Sequence, residues 1–406
     1  MRNKLFSILL IINIILGIGI FTLPQENESQ SEKRLLSTNE DIKFDYNLVR
    51  SSENVLKDQF YFRNRIVRYY YKGRIILNLF TEKVIDYPRK LIRKISGNDD
   101  NQNNGGVIDT SLKYLAEGVI ELDDGYLINS ILEYNDEEKY QASSRGYNLN
   151  EFASRYKDIK TYVYFPTRLE EILNNDYDNQ CICQEQFIQQ LNNDIKHRSL
   201  IIDDYEDHKK YYFHSDTHWN AYGAYEGYKD IIEMIGEDYS IGEIKPIENV
   251  IEYEYEFYGN IANKIDGYGI KDRIIDLELT GINDFDYYID GEKADYYAVK
   301  KDYELNGNNT VYSDYDYYFG DNNFLRQFDF HDNNKPNILI FGDSYNNTNM
   351  LWIASHFNKT TIIDLRRKPE NFNLNNFVNQ NDIDIFLVNY YYFNAFINGN
   401  LYIPID

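Results

Sequence analysis

The sequence predicts an α/β fold in which a parallel sheet is flanked by helices, and three observations carry that prediction. Short apolar runs recur at Thr161–Phe165, Leu200–Asp203, Asn337–Phe341, Thr360–Asp364 and Ile383–Val388, each bounded by polar residues. Such continuous runs suit strands buried on both faces, as in a parallel sheet. Stretches with helical spacing stand among them, at Phe187–Ile195, at Ala221–Ile235 and at Met350, Leu351, Ala354 and Phe357. The order strand, helix, strand implies right-handed crossovers.

In chain order, Met1–Lys4 is basic and Leu5–Leu23 is an uncharged run of 19 residues, long enough to cross a bilayer. No Ala-x-Ala-like cleavage site follows, so residues 1–23 read as a signal anchor rather than a signal peptide. Arg2 and Lys4 then stay inside, and the rest of the chain lies outside the cytoplasm at the cell membrane. Cleavage would make it secreted. Residues 24–55 are a polar linker, and residues 56–406 form the main domain. Within it, Arg65–Phe80 reads as a helix and Gly97–Gly106 as a surface loop.

Gly118–Leu122 and Tyr126–Ile128 flank Asp123-Asp124-Gly125, a hairpin signal because glycine supplies the positive backbone angle of the turn. A helical stretch through Phe152–Tyr156 leads to the Thr161–Phe165 strand, which Pro166 stops. Asn220 is placed to cap the helix that follows it, with Gly236 at the far end. Residues 237–333, rich in Tyr, Asp, Glu and Gly, have short apolar runs and read as an irregular β-rich insertion.

The net charge of −24 argues against a nucleic-acid partner, which needs clustered Lys and Arg. Cys181 and Cys183 are the only cysteines; two thiolates do not complete a zinc shell and no disulfide framework is present. With no metal-ligating helix motif, EF-hand loop, dinucleotide fingerprint or phosphate-binding loop, no cofactor or metal is expected.

One constellation carries chemistry. In Ser215-Asp216-Thr217-His218-Trp219-Asn220 an acidic residue and a histidine stand two positions apart. In an extended segment they face the same side, so Asp216 is placed to orient the His218 imidazole as a general base. Gly342-Asp343-Ser344-Tyr345 follows the buried Asn337–Phe341 run, which puts Ser344 at the carboxyl end of a strand, where open parallel sheets hold ligands. A helix beginning just beyond it would favour a developing oxyanion. Alone, Gly-Asp-Ser is ordinarily a turn, and a histidine beside a tryptophan is ordinarily structural. Their joint occurrence at element boundaries favours a nucleophile, a base and an orienting acid. The remaining histidines, His197, His208, His214, His331 and His356, read as surface or structural.

At these residues the chain resembles the SGNH-hydrolase-like alginate O-acetyltransferases, the AlgX/AlgJ and DHHW-type proteins. Ser215–Asn220 with Tyr222-Gly223-Ala224, and Gly342–Tyr345, carry the resemblance; the Asp-Gly turn after Gly118 and Thr361–Arg366 support its register. It implies a flavodoxin-like sheet, Ser344 as nucleophile, His218 as general acid and base, and Asp216 as its partner. The motif order Asp, His, Ser is permuted relative to ordinary SGNH esterases. Family members acetylate exported polysaccharides with acyl groups supplied through a membrane-bound O-acyltransferase. Tyr345 stands where phenylalanine is frequent, and Asn389-Tyr390-Tyr391-Tyr392 departs from the family's pattern after the last strand; Tyr345 and Asn389 are the candidates for oxyanion or substrate contacts. The chain ends soon after that strand, so polymer affinity is expected in the catalytic domain or its insertion. A carbohydrate esterase of the same fold, and a catalytically inactive surface protein that binds a glycan or a partner, are the alternatives.

Overall fold

The computed structural model describes residues 28–29, 34–35, 37–38, 42, 55, 113–115, 118–122, 124–129, 136–166, 187–200, 202, 205–265, 267, 269–298, 300–302, 314–320, 323–390 and 403–404. The expected anchor at 1–23, the helix at Arg65–Phe80, the loop at Gly97–Gly106 and both cysteines lie outside them. Among the described residues no helix is long and apolar enough to cross a membrane.

In chain order the strands are β1 (Glu28–Ser29), β2 (Arg34–Leu35), β3 (Lys113–Tyr114), β4 (Val119–Glu121), β5 (Leu127–Asn129), β6 (Lys160–Phe165), β7 (Lys196–Ser199), β8 (Ile247–Phe257), β9 (Asp272–Leu279), β10 (Asp286–Ile289), β11 (Glu292–Ala294), β12 (Leu325–Asp329), β13 (Ile338–Gly342), β14 (Lys359–Ile363) and β15 (Ile385–Asn389). The helices are α1 (Asp136–Arg155), α2 (Tyr205–Tyr211), α3 (Ala221–Gly236), α4 (Asn260–Asn263), α5 (Asp314–Phe319), α6 (Asn346–Ala354) and α7 (Leu374–Gln380).

The central sheet has eight strands in the order β11-β10-β12-β14-β13-β15-β6-β7. From β14 to β7 every neighbour is parallel, whereas β12, β10 and β11 pair antiparallel. The sheet is therefore mixed rather than parallel throughout, because residues 237–333 supply its antiparallel edge. The same stretch also forms the β8–β9 hairpin.

Alternation along β13 shows how both faces are covered. Ile338 and Ile340 join a core with Ile231, Ile232 and Ile235 of α3 and Met350–Ala354 of α6, while Leu339 and Phe341 point to Leu149 and Phe152 of α1 and Leu374 and Val378 of α7. Burying each such side chain contributes about 1.5–3 kcal/mol. α3 begins as expected, with the Asn220 side chain accepting from the amides of Tyr222 and Gly223. Its last residue is Gly236 and its C-cap is Glu237, in right-handed conformation.

Two sequence expectations shift. The strand expected at Leu200–Asp203 is β7, four residues earlier, where polar side chains suit a sheet edge; Leu200 still donates its amide to the Phe165 carbonyl at 3.1 Å. In Phe187–Ile195 only the first two residues are helical, and turns carry the chain into β7. The hairpin at Gly125 forms as expected, with its φ at +88°.

Candidate active site

The segment between Tyr212 and Trp219 is closed by an antiparallel bridge between those two residues, and His214 to His218 form a bend rather than a strand. Asp216 and His218 meet by a different route from the expected alternation. The Asp216 carboxylate folds back so that Oδ1 accepts the backbone N–H of His218 at 3.0 Å, an Asx-type turn. The same oxygen accepts from the ring Nδ1–H of His218 at 2.6 Å. With its proton on Nδ1, the imidazole presents a lone pair at Nε2, and Ser344 Oγ lies 2.9 Å from it. Ser344 sits just beyond the end of β13, at the start of α6. The three expected residues are thus one hydrogen-bonded line, joined across 126 positions of chain.

Cross-ties hold the two segments together. The Trp219 indole N–H donates to the Tyr345 carbonyl at 2.9 Å, and the Tyr345 hydroxyl donates to the Thr217 carbonyl. Tyr345 also gives its amide to Asp343 Oδ1 at 3.0 Å. Both donors of Tyr345 are therefore engaged within the protein, and its ring lies beside those of His218 and Trp219. Asn389 ends β15, in register with Gly342 on one side and Tyr164 on the other. It is wholly buried, and neither atom of its amide has a hydrogen-bond partner among the described residues.

Four residues that the sequence reading missed complete the surroundings, all from residues 237–333. Asn260, opening α4, donates its amide to Asp216 Oδ2 at 2.7 Å and exchanges two further bonds with Thr217. Gly259 before it passes so close that a Cβ there would lie 2.4 Å from the Asp216 Cβ and 2.5 Å from the Ser215 carbonyl oxygen. Asp272 of β9 receives the amides of His214 and Ser215 and the Ser215 hydroxyl, at 2.6–2.8 Å. Tyr315 of α5 stacks on the His218 imidazole, with ring centroids 3.7 Å apart. No local periodicity marks any of them.

Burial alone would raise the pKa of Asp216, but the adjacent imidazole and the hydrogen bonds from His218 and Asn260 outweigh it and hold the carboxyl below its ordinary value. Asp216 is therefore a carboxylate at neutral pH, with one oxygen against the His218 ring. His214, read from sequence as surface or structural, has a carboxylate partner in Asp272, with Nδ1 3.1 Å from Oδ1. His356 is structural, held between the Tyr228 hydroxyl and the Ile241 carbonyl. Among the described residues no His, Cys, Asp and Glu cluster is suited to a metal ion.

No family model and no curated protein matches the sequence. Solved structures do match. PatB1 of Bacillus cereus, in a structure with a sulfonyl adduct, is 20% identical with a TM-score of 0.57, the match covering 70% of this chain and 98% of PatB1. A DHHW family protein from Eubacterium siraeum is 18% identical with a TM-score of 0.52, covering 71% of this chain and 94% of its own. At these identities the likeness is one of fold, and this chain has the fold of PatB1 and of the DHHW-type proteins that its Asp-Thr-His-Trp and Gly-Asp-Ser segments resemble.

Proposed function

We propose that this protein transfers an acyl group, in the first place acetyl, to hydroxyls of an exported or cell-surface polysaccharide through an acyl-enzyme at Ser344. The observation that carries the reading is the line Asp216–His218–Ser344, with spacings of 2.6 and 2.9 Å. Ser344 Oγ attacks the acyl carbonyl carbon while its proton passes to His218 Nε2, and the departing donor group leaves with that proton. The acceptor hydroxyl then gives its proton to Nε2 as its oxygen takes the acyl carbon, and Ser344 regains its hydrogen. The Asn389 amide and the Ser344 backbone N–H, which meets no acceptor among the described residues, are the donors assigned to the oxyanion.

The sulfonyl adduct on PatB1 supports covalent reactivity for this fold. The O-acetyltransferase role, a membrane-bound O-acyltransferase as acyl source, and placement outside the membrane on an anchor at residues 1–23 rest on the sequence resemblance and the apolar N-terminal run.

The test is incubation of the purified full chain with an aryl acetate, with and without an oligosaccharide, while mass spectrometry follows the protein. The expected result is an acetyl adduct on Ser344 that moves to the sugar. Ser344→Ala should lose adduct and turnover by about 10⁴-fold or more. Release to water alone, unchanged by any sugar, would make the protein an esterase, and a folded chain with no adduct would leave a binding protein.

A further inference from the structure

α5 carries two tyrosines one helical turn apart that serve different neighbours. The Tyr315 ring lies on the His218 imidazole with 7° between the planes, and its hydroxyl donates to the Ser344 carbonyl at 2.8 Å and meets Thr348 Oγ1 at 2.8 Å. It is wholly buried, packed against Phe319 at 4.9 Å and Phe213 at 6.3 Å. Tyr318 reaches the other way, into β9, where its hydroxyl donates to the buried Asp276 carboxylate at 2.6 Å beside the Lys300 ammonium and lies 3.2 Å from the Tyr253 hydroxyl. One side chain of α5 therefore anchors the helix in the β8–β9 hairpin, and another touches both the base and the backbone of the serine.

We propose, on the acyl-transfer reading above, that Tyr315 is a positioning residue: its ring fixes the plane in which His218 Nε2 meets Ser344 Oγ and, after acylation, the incoming hydroxyl. A bond from Asp216 to Nδ1 leaves the imidazole free to tilt about the Cβ–Cγ axis. A flat ring stacked on one face removes that freedom and bars water from that face. The face of an aromatic ring also favours the imidazolium that forms as the serine gives up its proton. The hydroxyl bond to the Ser344 carbonyl ties base and nucleophile to one rigid group.

The experiment measures the rate at which an aryl sulfonyl fluoride labels Ser344, together with aryl acetate kinetics, in the full chain and in Tyr315→Phe, Tyr315→Leu and Tyr315→Met. Two ringless variants guard against one that fails to fold, and thermal melting identifies the folded ones. We expect Phe, which keeps the stack, to stay within about threefold of wild type. The ringless variants should lose about 10- to 100-fold in labelling rate and kcat with KM little changed. The upfield ring-current shift of the His218 ring protons should vanish in them.

A folded ringless variant with wild-type labelling rate overturns the proposal. So does a Phe variant as impaired as Leu, which would assign the effect to the hydroxyl. Labelling without acetyl transfer by the wild type would sink the function proposed above while leaving Tyr315 testable on the labelling rate. No labelling of the wild type would sink both.

Discussion

One five-residue bend carries the histidines of two histidine–carboxylate pairs, His218 with Asp216 and His214 with Asp272 of β9. In both, a ring Nδ1 faces an aspartate oxygen. They differ in what stands on the far side of the imidazole. The His218 side chain is 9% exposed and its Nε2 meets Ser344, while the His214 side chain is 42% exposed. The carboxylates differ as well: Asp216 spends its second oxygen on the Asn260 amide, whereas Asp272 spends its second on the amide and hydroxyl of Ser215. On the proposed function, one pair moves a proton. The other is a clasp for the loop that carries the first, so a histidine with an acid partner is no catalytic signature until its second nitrogen has somewhere to act.

The largest expected effect separates the two pairs outright. Asp216→Asn keeps the shape but loses the charge that holds the tautomer and supports the imidazolium, and should lower kcat by about 10²–10⁴-fold. Aryl acetate kinetics would show it, and a variant within tenfold of wild type would place the orienting role elsewhere. Asp272→Asn should act on the scaffold instead. Leaving part of a buried hydrogen-bond set unmet should cost about 1–3 kcal/mol in urea unfolding, with kcat reduced only a fewfold. An Asp272→Asn protein of normal stability but with the Asp216→Asn defect would erase the distinction.

Gly259→Ala tests the clasp sterically. The added methyl would meet backbone and the Asp216 Cβ at under 3.0 Å, so α4 or the bend must shift. Overpacking of this kind should cost about 1–3 kcal/mol, and moving the Asn260 amide from Asp216 should lower kcat by about tenfold or more. A melting curve and rates on the same sample would separate the two losses.

The smallest effect belongs to His214. Its hydrogen bond to Asp272 raises its pKa in the folded state, against a smaller opposing effect of burial and with Asp124 assisting and Lys209 opposing. A raised folded pKa contributes stability that is full below the unfolded value, about 6.5, and is lost as pH rises through the folded value. His214→Gln should therefore lose a little melting temperature at pH 5.5 and almost none at pH 9, solvent screening keeping the effect small. Turnover near neutral pH should stay within about twofold, since nothing in the acyl-transfer line touches this ring. A large loss of turnover would mean that both pairs take part in chemistry.

Much of this was legible in the residues. The Asn337–Phe341 run could hardly be anything but a buried strand, and its end fixed where Ser344 would stand. Asp216 and His218 were found by their spacing, although the reason given, strand alternation, is not the one the fold uses: an Asx-type turn produces the same meeting from the same spacing. What stayed hidden came from residues 237–333. Asn260 reaches Asp216 across 44 positions and Asp272 reaches Ser215 across 57, and such contacts leave no periodic trace in a stretch of mixed polar and aromatic residues. Tyr315 is one of 40 tyrosines; only its place on α5 distinguishes it. The antiparallel strands β10, β11 and β12 were hidden for a related reason, being less apolar than the parallel strands beyond them.

The paired ties between Trp219 and the Tyr345 carbonyl and between Tyr345 and the Thr217 carbonyl make base and nucleophile a closed loop of more than a hundred residues. Closing such a loop is entropically costly and rewards only contacts that form together. On the proposed function, the line Asp216–His218–Ser344 is therefore expected to assemble late, together with the α3 and α6 layer that packs on the same sheet. Reactivity and the native fold are expected to appear and vanish as one cooperative event, so that an incompletely folded chain carries no armed serine.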